Sequence, residues 1–490
     1  MVLGLAPVWA YRYFPTQDGP SHLLNARVFD QCADQKAPEA EFYERRWSPI
    51  PNWTAAAVLD LLAAVLPPFT AEKALVSIYL IGLPLAVDYF LTAMDAAGAS
   101  ALGLLFLWNS CLLRGFYSYG LGMALLFLTL GWFLRRPSAL DAGDTARLSG
   151  LLLASYFTHL AAFLIAVFCL LWFAAARSGP RARTFSSILI AAMPGSLLTL
   201  NYFSTTGFFG APEASSALDI AREEMRGTLT RVWEAPAVLF RELFTTDSSF
   251  WLPGLVVLTA ALWLWDRRDE GGADSARLPR PVLGLSLALF VLLALIPDTL
   301  RAHGGFLKAR LAPIVPLFAL GALRSAARGP VRLGHSLGLI LVIANLALVT
   351  GRFAKMDREV EEFTTGITWV HAGETLVSVK APSETTAIVD PFFSEYYCIA
   401  THAICLSSYE GGTEHFPVRL RRGVKHRIRQ NKPGSFWADV VLGWGAAGEA
   451  LPQADEPYVE VFRRGKLRLF RRVESRRAAP LAPPSSRPGS

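Results

Sequence analysis

Apolar runs recur through this chain too often, and at too great a length, for the interior of one soluble core. They fall at 72 to 94, 99 to 113, 115 to 134, 148 to 158, 160 to 175, 185 to 203, 250 to 265, 281 to 297, 306 to 323 and 334 to 350. A helix needs about 20 apolar residues to cross a bilayer. The apolar segment Met1 to Tyr11 is too short for that. It lacks the basic start and small-residue cleavage site of a signal peptide, and reads as the outer end of a first transmembrane helix. The chain is therefore expected to be a polytopic transmembrane helix bundle, mostly α, with about eleven spans. An ordinary soluble enzyme is excluded. The net charge of +7 does not point to nucleic acid, because the arginines sit in short loops between apolar runs, where the positive-inside rule accounts for them.

The same arginines set the expected topology. Dense ones occupy Arg135 to Arg147, Arg177 to Arg183, Asp266 to Arg280 and Arg324 to Arg332, which should be cytoplasmic. Leu148 to Ala175 has basic loops on both sides and is long for one helix, so it divides near Thr158-His159 into an outward and a returning helix, with His159 outside. Counting from there, the loop 12–71, the loop 204–249 and everything after Gly351 are outside, provided that Trp53 to Leu66 forms a helix lying in the interface. Residues 1–350 then make the membrane domain. Residues 351–474 make a small C-terminal extracytoplasmic α/β domain, beginning with an amphipathic stretch from Met356 to Trp369. Strand-like runs follow at Thr375 to Val379, Thr386 to Val389 and Ala438 to Leu442, and Tyr458 to Phe462 with Lys466 to Arg472 reads as a hairpin around Arg464-Gly465. The Arg-, Pro-, Ala- and Ser-rich tail 475–490 is expected to be disordered. No internal repeat of the inverted-repeat transporter kind is present. Five cysteines show no metal spacing, and Cys398 with Cys405 is the one candidate bridge.

Chemistry concentrates in Pro15-Thr16-Gln17-Asp18-Gly19-Pro20-Ser21-His22-Leu23, just beyond the first apolar segment. Pro20 suits the first turn of a helix, so Asp18 either serves that helix start, as a charge or an Asx turn, or is free for catalysis. His22 lies one turn further on and Asn25 follows. At the outer end of a late span stand His303, Lys308 and Arg310, which either bind phosphate or snorkel to lipid headgroups. Arg114 breaks an apolar run as a helix-turn anchor or a second phosphate ligand. His159 either lines the same cavity or hydrogen-bonds between helices. Asp219, Glu223, Glu224, Glu234 and Glu242 read as a solvated amphipathic face, and no metal site is expected. His402 and Tyr409 to Phe416 form a glycine loop that binds or gates an acceptor, or is a plain turn; the turn is the simpler reading.

The first-loop acid motif Pro15 to Leu23 resembles that of bacterial members of the GT-C superfamily of membrane glycosyltransferases. The junction Asn109 with Arg114-Gly115-Phe116-Tyr117-Ser118-Tyr119-Gly120 is similar to their Gly-aromatic turn, and Lys308-Ala309-Arg310-Leu311-Ala312-Pro313 to their basic start of a late span. The resemblance implies an inverting sugar transferase that uses a polyprenyl-phosphate sugar and an extracytoplasmic acceptor. Asp18 would be the general base, and Arg310, Lys308, His303, Arg114, His22 and His159 would bind substrate. It implies a multi-pass protein of the inner or plasma membrane, with membrane lipids as partners and neither cofactor nor nucleic acid. A lipid-linked-sugar flippase or transporter, or a non-catalytic scaffold, would share the architecture.

Overall fold

The computed structural model describes residues 2–136, 140–177, 180–206, 232–244, 254–257, 280–296, 298, 305–323, 330–380, 394–413, 415–424, 438–445 and 458–473. Among them the helices of eight or more residues are α1 (Gly19–Gln31), α2 (Trp53–Ala63), α3 (Pro68–Ala93), α4 (Tyr117–Leu134), α5 (Ala142–Thr158), α6 (Leu160–Ala176), α7 (Arg181–Thr205), α8 (Ala235–Leu243), α9 (Arg280–Leu295), α10 (Pro330–Phe363) and α11 (Ser394–Thr401). The chain is a mostly helical membrane protein. Four helices, α3, α4, α7 and Ser336–Trp369, which holds most of α10, are long and apolar enough to cross a bilayer. Trp53–Ala63, Ala97–Phe106, Leu160–Ala176 and Pro281–Leu295 are apolar but shorter.

That set is smaller than the expected eleven, and the run 99 to 113 shows one reason. It is broken into Ala97–Ala99, Ser100–Gly103, Leu104–Phe106 and Ser110–Leu113. Asn109 starts the last turn afresh, its side chain accepting the Leu112 N–H at 3.3 Å in an N-cap that a continuous helix would not contain.

Because 94–116 returns in these short pieces, α3 and α4 run parallel. The Tyr117 hydroxyl donates to Glu72 at 2.6 Å near their starts. Further along, Gly120 and Gly131 lie against the rings of Tyr79 and Tyr89, so closely that a Cβ would come within 2.8 and 2.6 Å. Small residues are what let membrane helices approach in this way. The expected break at His159 is present: α5 ends at Thr158, α6 starts at Leu160, and His159 is extended between them. At the far end Arg177 donates to the carbonyls of Phe133 and Leu134, both at 2.9 Å, completing the C-terminus of α4.

No helix ends at the boundary expected after Gly351. Helix α10 continues through it to Phe363, carrying Phe353 into a stack on Phe14 with centroids 4.7 Å apart, and Asp357 to within 2.8 Å of the Tyr13 N–H. Beyond it a five-stranded sheet is formed by β2 (Thr375–Lys380), β3 (Ile404–Cys405), β5 (Val440–Trp444), β6 (Tyr458–Arg464) and β7 (Leu467–Arg472), in the order β3-β2-β5-β7-β6. Strand β2 is parallel to β3 and β5; β7 is antiparallel to β5 and β6. The hairpin expected at Arg464-Gly465 is β6–β7, turning where Gly465 has φ +51°. The run Thr386 to Val389 and the tail 475–490 lie outside the described residues.

A second, two-stranded sheet pairs β1 (Tyr43–Arg45) of the first loop with β4 (Val418–Leu420). Arg27 on α1 reinforces the joint by donating to the Cys398 and Ile399 carbonyls at the end of α11 and to Glu39 at 2.9 Å. All five cysteines are buried free thiols, so the Cys398–Cys405 bridge is not formed. Cys405 Sγ lies among hydroxyls, 3.9 Å from Ser394 Oγ and 3.7 Å from Ser407 Oγ.

Candidate active site

Two tight turns press together where the first loop meets the start of α4. Gln17 and Asp18 donate their N–H groups to the carbonyls of Leu113 and Arg114, each at 3.0 Å. Gly115 has φ +76°, where a side chain is strained, and a Cβ there would come within 2.7 Å of the Gly19 nitrogen. A Cβ on Gly19 would in turn sit 2.2 Å from Glu72 Oε1. The Gly19 N–H goes to Thr16 Oγ1 at 3.1 Å, and Thr16 is 2.9 Å from the Tyr117 hydroxyl that serves Glu72.

Thr16 thus takes the helix-start role that an Asx turn would have given Asp18. Asp18 stands at the N-cap position of α1 without a side-chain cap bond, and no hydrogen bond reaches its carboxylate among the described residues. Its side chain lines a cavity of about 160 Å³ while the residue as a whole is only 8% exposed.

His22 stands beside it on α1. Its Nε2 is 2.8 Å from the Gly115 carbonyl, which can only accept, so Nε2 carries a hydrogen. Its Nδ1 meets the carboxylate of Glu410, which also accepts from Asn25 Nδ2. Burial works against the charged ring, but the Glu410 charge and hydrogen bond outweigh it and hold His22 up at about 9. His22 is therefore an imidazolium at neutral pH. For Asp18, burial is the largest influence and raises it; the His22 charge pulls it down, Glu410 pushes it up, and Arg310 and Arg114 pull it down again, leaving it at about 7. Glu410 sits in the one-turn helix Tyr409–Gly412, begun by Ser408, whose Oγ accepts the Gly411 N–H at 3.3 Å. The plain-turn reading fits this backbone but missed where Glu410 reaches.

Four further groups shape the cavity. Arg310 lays its guanidinium 4.7 Å above the Phe116 ring and donates to the Gly305 carbonyl. His159 accepts the Ala161 N–H on Nδ1 at 3.1 Å, and its ring meets Tyr119 edge-on at 5.1 Å. The Ala161 hydrogen bond to Nδ1 places the ring's own hydrogen on Nε2 when it is neutral. Asn52 and Phe306 both adopt left-handed backbone, with φ +71° and +59°, which is costly for residues with side chains. Asn52 Oδ1 is buried without a hydrogen-bond partner among the described residues. Nothing local in the sequence marks Asn52; its strain and its orphaned oxygen are properties of the fold.

Two of the expected substrate ligands do not line the cavity. Arg114 stands behind it, paired with Glu242 at 2.6 Å and stacked 4.8 Å over Phe306, which is the anchor role. Glu242 is accordingly not on a solvated face: α8 brings it into the interior, where burial is overcome by Arg114 and its carboxyl is held below the usual range. Lys308 is half-buried and off the lining, its backbone N–H on Asp298 at 3.2 Å. His303, Asp219, Glu223 and Glu224 lie outside the described residues. Among the described residues no group of three or more His, Cys, Asp or Glu side chains is placed to hold a metal ion.

No family model, curated protein or solved structure matches this chain.

Proposed function

We propose that this protein is an integral membrane glycosyltransferase of GT-C type, moving a sugar with inversion from a polyprenyl phosphate to an extracytoplasmic glycan, lipid or protein. The observation that carries this reading is Asp18: a buried carboxylate that caps nothing, titrates near pH 7, and faces Arg310 and His159 across one cavity. A group poised at the working pH is what general-base catalysis calls for. In the reaction, Asp18 takes the proton of the acceptor hydroxyl as its oxygen bonds to the anomeric carbon. The bond from that carbon to the phosphate oxygen breaks on the opposite face, and its electron pair leaves with the polyprenyl phosphate. Arg310 offers forked N–H donors to the charge growing there. His22 already holds both ring hydrogens and is unavailable as the base; its charge keeps Asp18 ionisable.

The cavity lies where α3, α4 and α6 begin and α5 ends, which is the end that also carries the C-terminal sheet. On this reading that end is extracytoplasmic, the shorter apolar helices complete a multi-pass bundle of about eleven spans, and the lipid is that of the inner or plasma membrane. The test is transfer by the purified protein from radiolabelled polyprenyl-phosphate sugars in vesicles. Transfer is expected from wild type and lost in Asp18→Asn. Transfer that survives the substitution ends the general-base assignment, and lipid scrambling without transfer makes the protein a flippase.

A further inference from the structure

Behind the cavity wall lies a larger groove. His22, Asn52 and Phe416 face the cavity, while the next residue in each case, Leu23, Trp53 and Pro417, faces the groove. The two spaces are therefore back to back across a wall of consecutive residues. The groove holds about 720 Å³, inside the range of roughly 300–1,000 Å³ usual for small-molecule sites.

Its lining combines flat rings with carboxylates. Trp47 and Trp53 are stacked, with centroids 5.6 Å apart and planes at 25°, and Phe29 stands edge-on to both at 5.1 and 5.8 Å. Arg45 lies 4.5 Å over Phe29 and fixes that ring. Although the rings pack on one another, Trp47 remains 73% exposed. Beside them are Asp30 of α1 and Asp60 of α2. Among the described residues Asp30 has only a long ion pair to Arg45, 3.7 Å, and nothing hydrogen-bonds the Asp60 carboxylate.

A pyranose ring has a C–H face that lies on an aromatic plane and a rim of hydroxyls that donate to carboxylates. A lipid tail would cover Asp30 and Asp60 and offer them no donor, which is costly. We propose that this groove binds a saccharide, with its sugar faces on the Trp47–Trp53 platform and its hydroxyls on Asp30 and Asp60. Naming that saccharide the acceptor rests on the glycosyltransferase reading; its binding does not.

Calorimetry on the full chain in nanodiscs, without donor, tests it with linear tetrasaccharides of glucose, mannose, galactose and N-acetylglucosamine. At least one is expected to bind. Trp47→Ala, at a position exposed enough to leave folding intact, should weaken it roughly tenfold, the equivalent of one lost stacking contact. Trp47→Phe should restore most of the affinity, and Asp60→Asn should weaken it. Binding by none of the four, or binding that Trp47→Ala leaves unmoved, overturns the proposal. So does binding of added undecaprenyl phosphate that Trp47→Ala weakens, with no saccharide binding. Saccharide binding without transfer from any polyprenyl-phosphate sugar keeps the groove and ends the enzyme reading. Transfer whose acceptor KM is indifferent to Trp47→Ala keeps the enzyme reading and shows that a saccharide bound here is not its acceptor.

Discussion

A carboxyl that titrates near pH 7 because it is buried costs the fold free energy whenever it is charged. Asp18 rises from an ordinary 3.8 to about 7 on folding. Between these values the folded state holds a proton that the unfolded state has lost, and above about 7 the full penalty falls on the native protein. Asp18→Asn should therefore raise the melting temperature at pH 8 by about 3–10 °C, an advantage that fades towards pH 4. Thermal unfolding by intrinsic fluorescence checks it, and an Asn variant no more stable at pH 8 than wild type would show that the site hydrates its charge. In the transfer assay the same variant should lose at least about a hundredfold in rate. Wild-type kcat/KM should fall about tenfold per pH unit below the Asp18 value near 7 and be level above it. Glu410→Gln moves that limb. Without Glu410 the buried His22 gives up its charge, and Asp18 loses an attraction larger than the repulsion it escapes, so the limb should shift upward; a downward shift would mean that His22 keeps its proton unaided. Asp18 and His22 could be read from the sequence because they share a motif. Glu410 could not, because its partners His22 and Asn25 lie at the other end of the chain and only the fold brings them together.

Among the elements, the turn pair at Gly19 and Gly115 decides whether Asp18 reaches the cavity. In Gly115→Ala the strained φ adds to a backbone clash with Gly19 that no side-chain movement relieves, so the variant should lose more than about 2 kcal/mol of stability, and activity with it. Gly351→Ala is the contrast. Its Cβ would meet nothing within 4 Å on an unbroken helix, so it should be neutral or stabilising by up to about 1 kcal/mol. Denaturation of both variants checks this, and a destabilised Gly351→Ala would reveal a hinge that α10 does not show. Local patterns made some elements legible: the break at His159 from the charge on both sides of an overlong run, the β6–β7 hairpin from alternation around Arg-Gly, and α2 from its apolar stretch. The continuity of α10 was hidden because composition changes at Gly351 while helical geometry does not. What holds the helix past that point is tertiary, namely Phe14 on Phe353 and Tyr13 on Asp357. The segment 97–113 misled in the opposite sense, being apolar throughout yet stopped by the Asn109 cap.

For the whole molecule, the arginine loops and the site divide the bundle into two ends. Glu41 and Lys466 are exposed at the end where β1–β4 and the C-terminal sheet cluster near Asp18, whereas Arg147 and Arg183 are exposed at the start of α5 and of α7, near the turn where Arg177 caps α4. If the helices between them cross a bilayer, the two sets face different compartments, and positive-inside counting puts the arginines in the cytoplasm. Single cysteines report this against a low background, since all five native thiols are buried. An impermeant maleimide added to intact cells, or to cells with only the outer membrane opened, should label Glu41→Cys and Lys466→Cys. It should reach Arg147→Cys and Arg183→Cys only once the inner membrane is permeabilised. Labelling of all four from one side would mean that α5 and α7 do not traverse the membrane. Labelling of Glu41→Cys and Lys466→Cys from opposite sides would separate Asp18 from Glu410 and dismantle the site. Equal protection of both, with the arginine positions labelled, would keep the site intact but turn it to the cytoplasm, where an acceptor and a donor sugar would have to be found on that face instead.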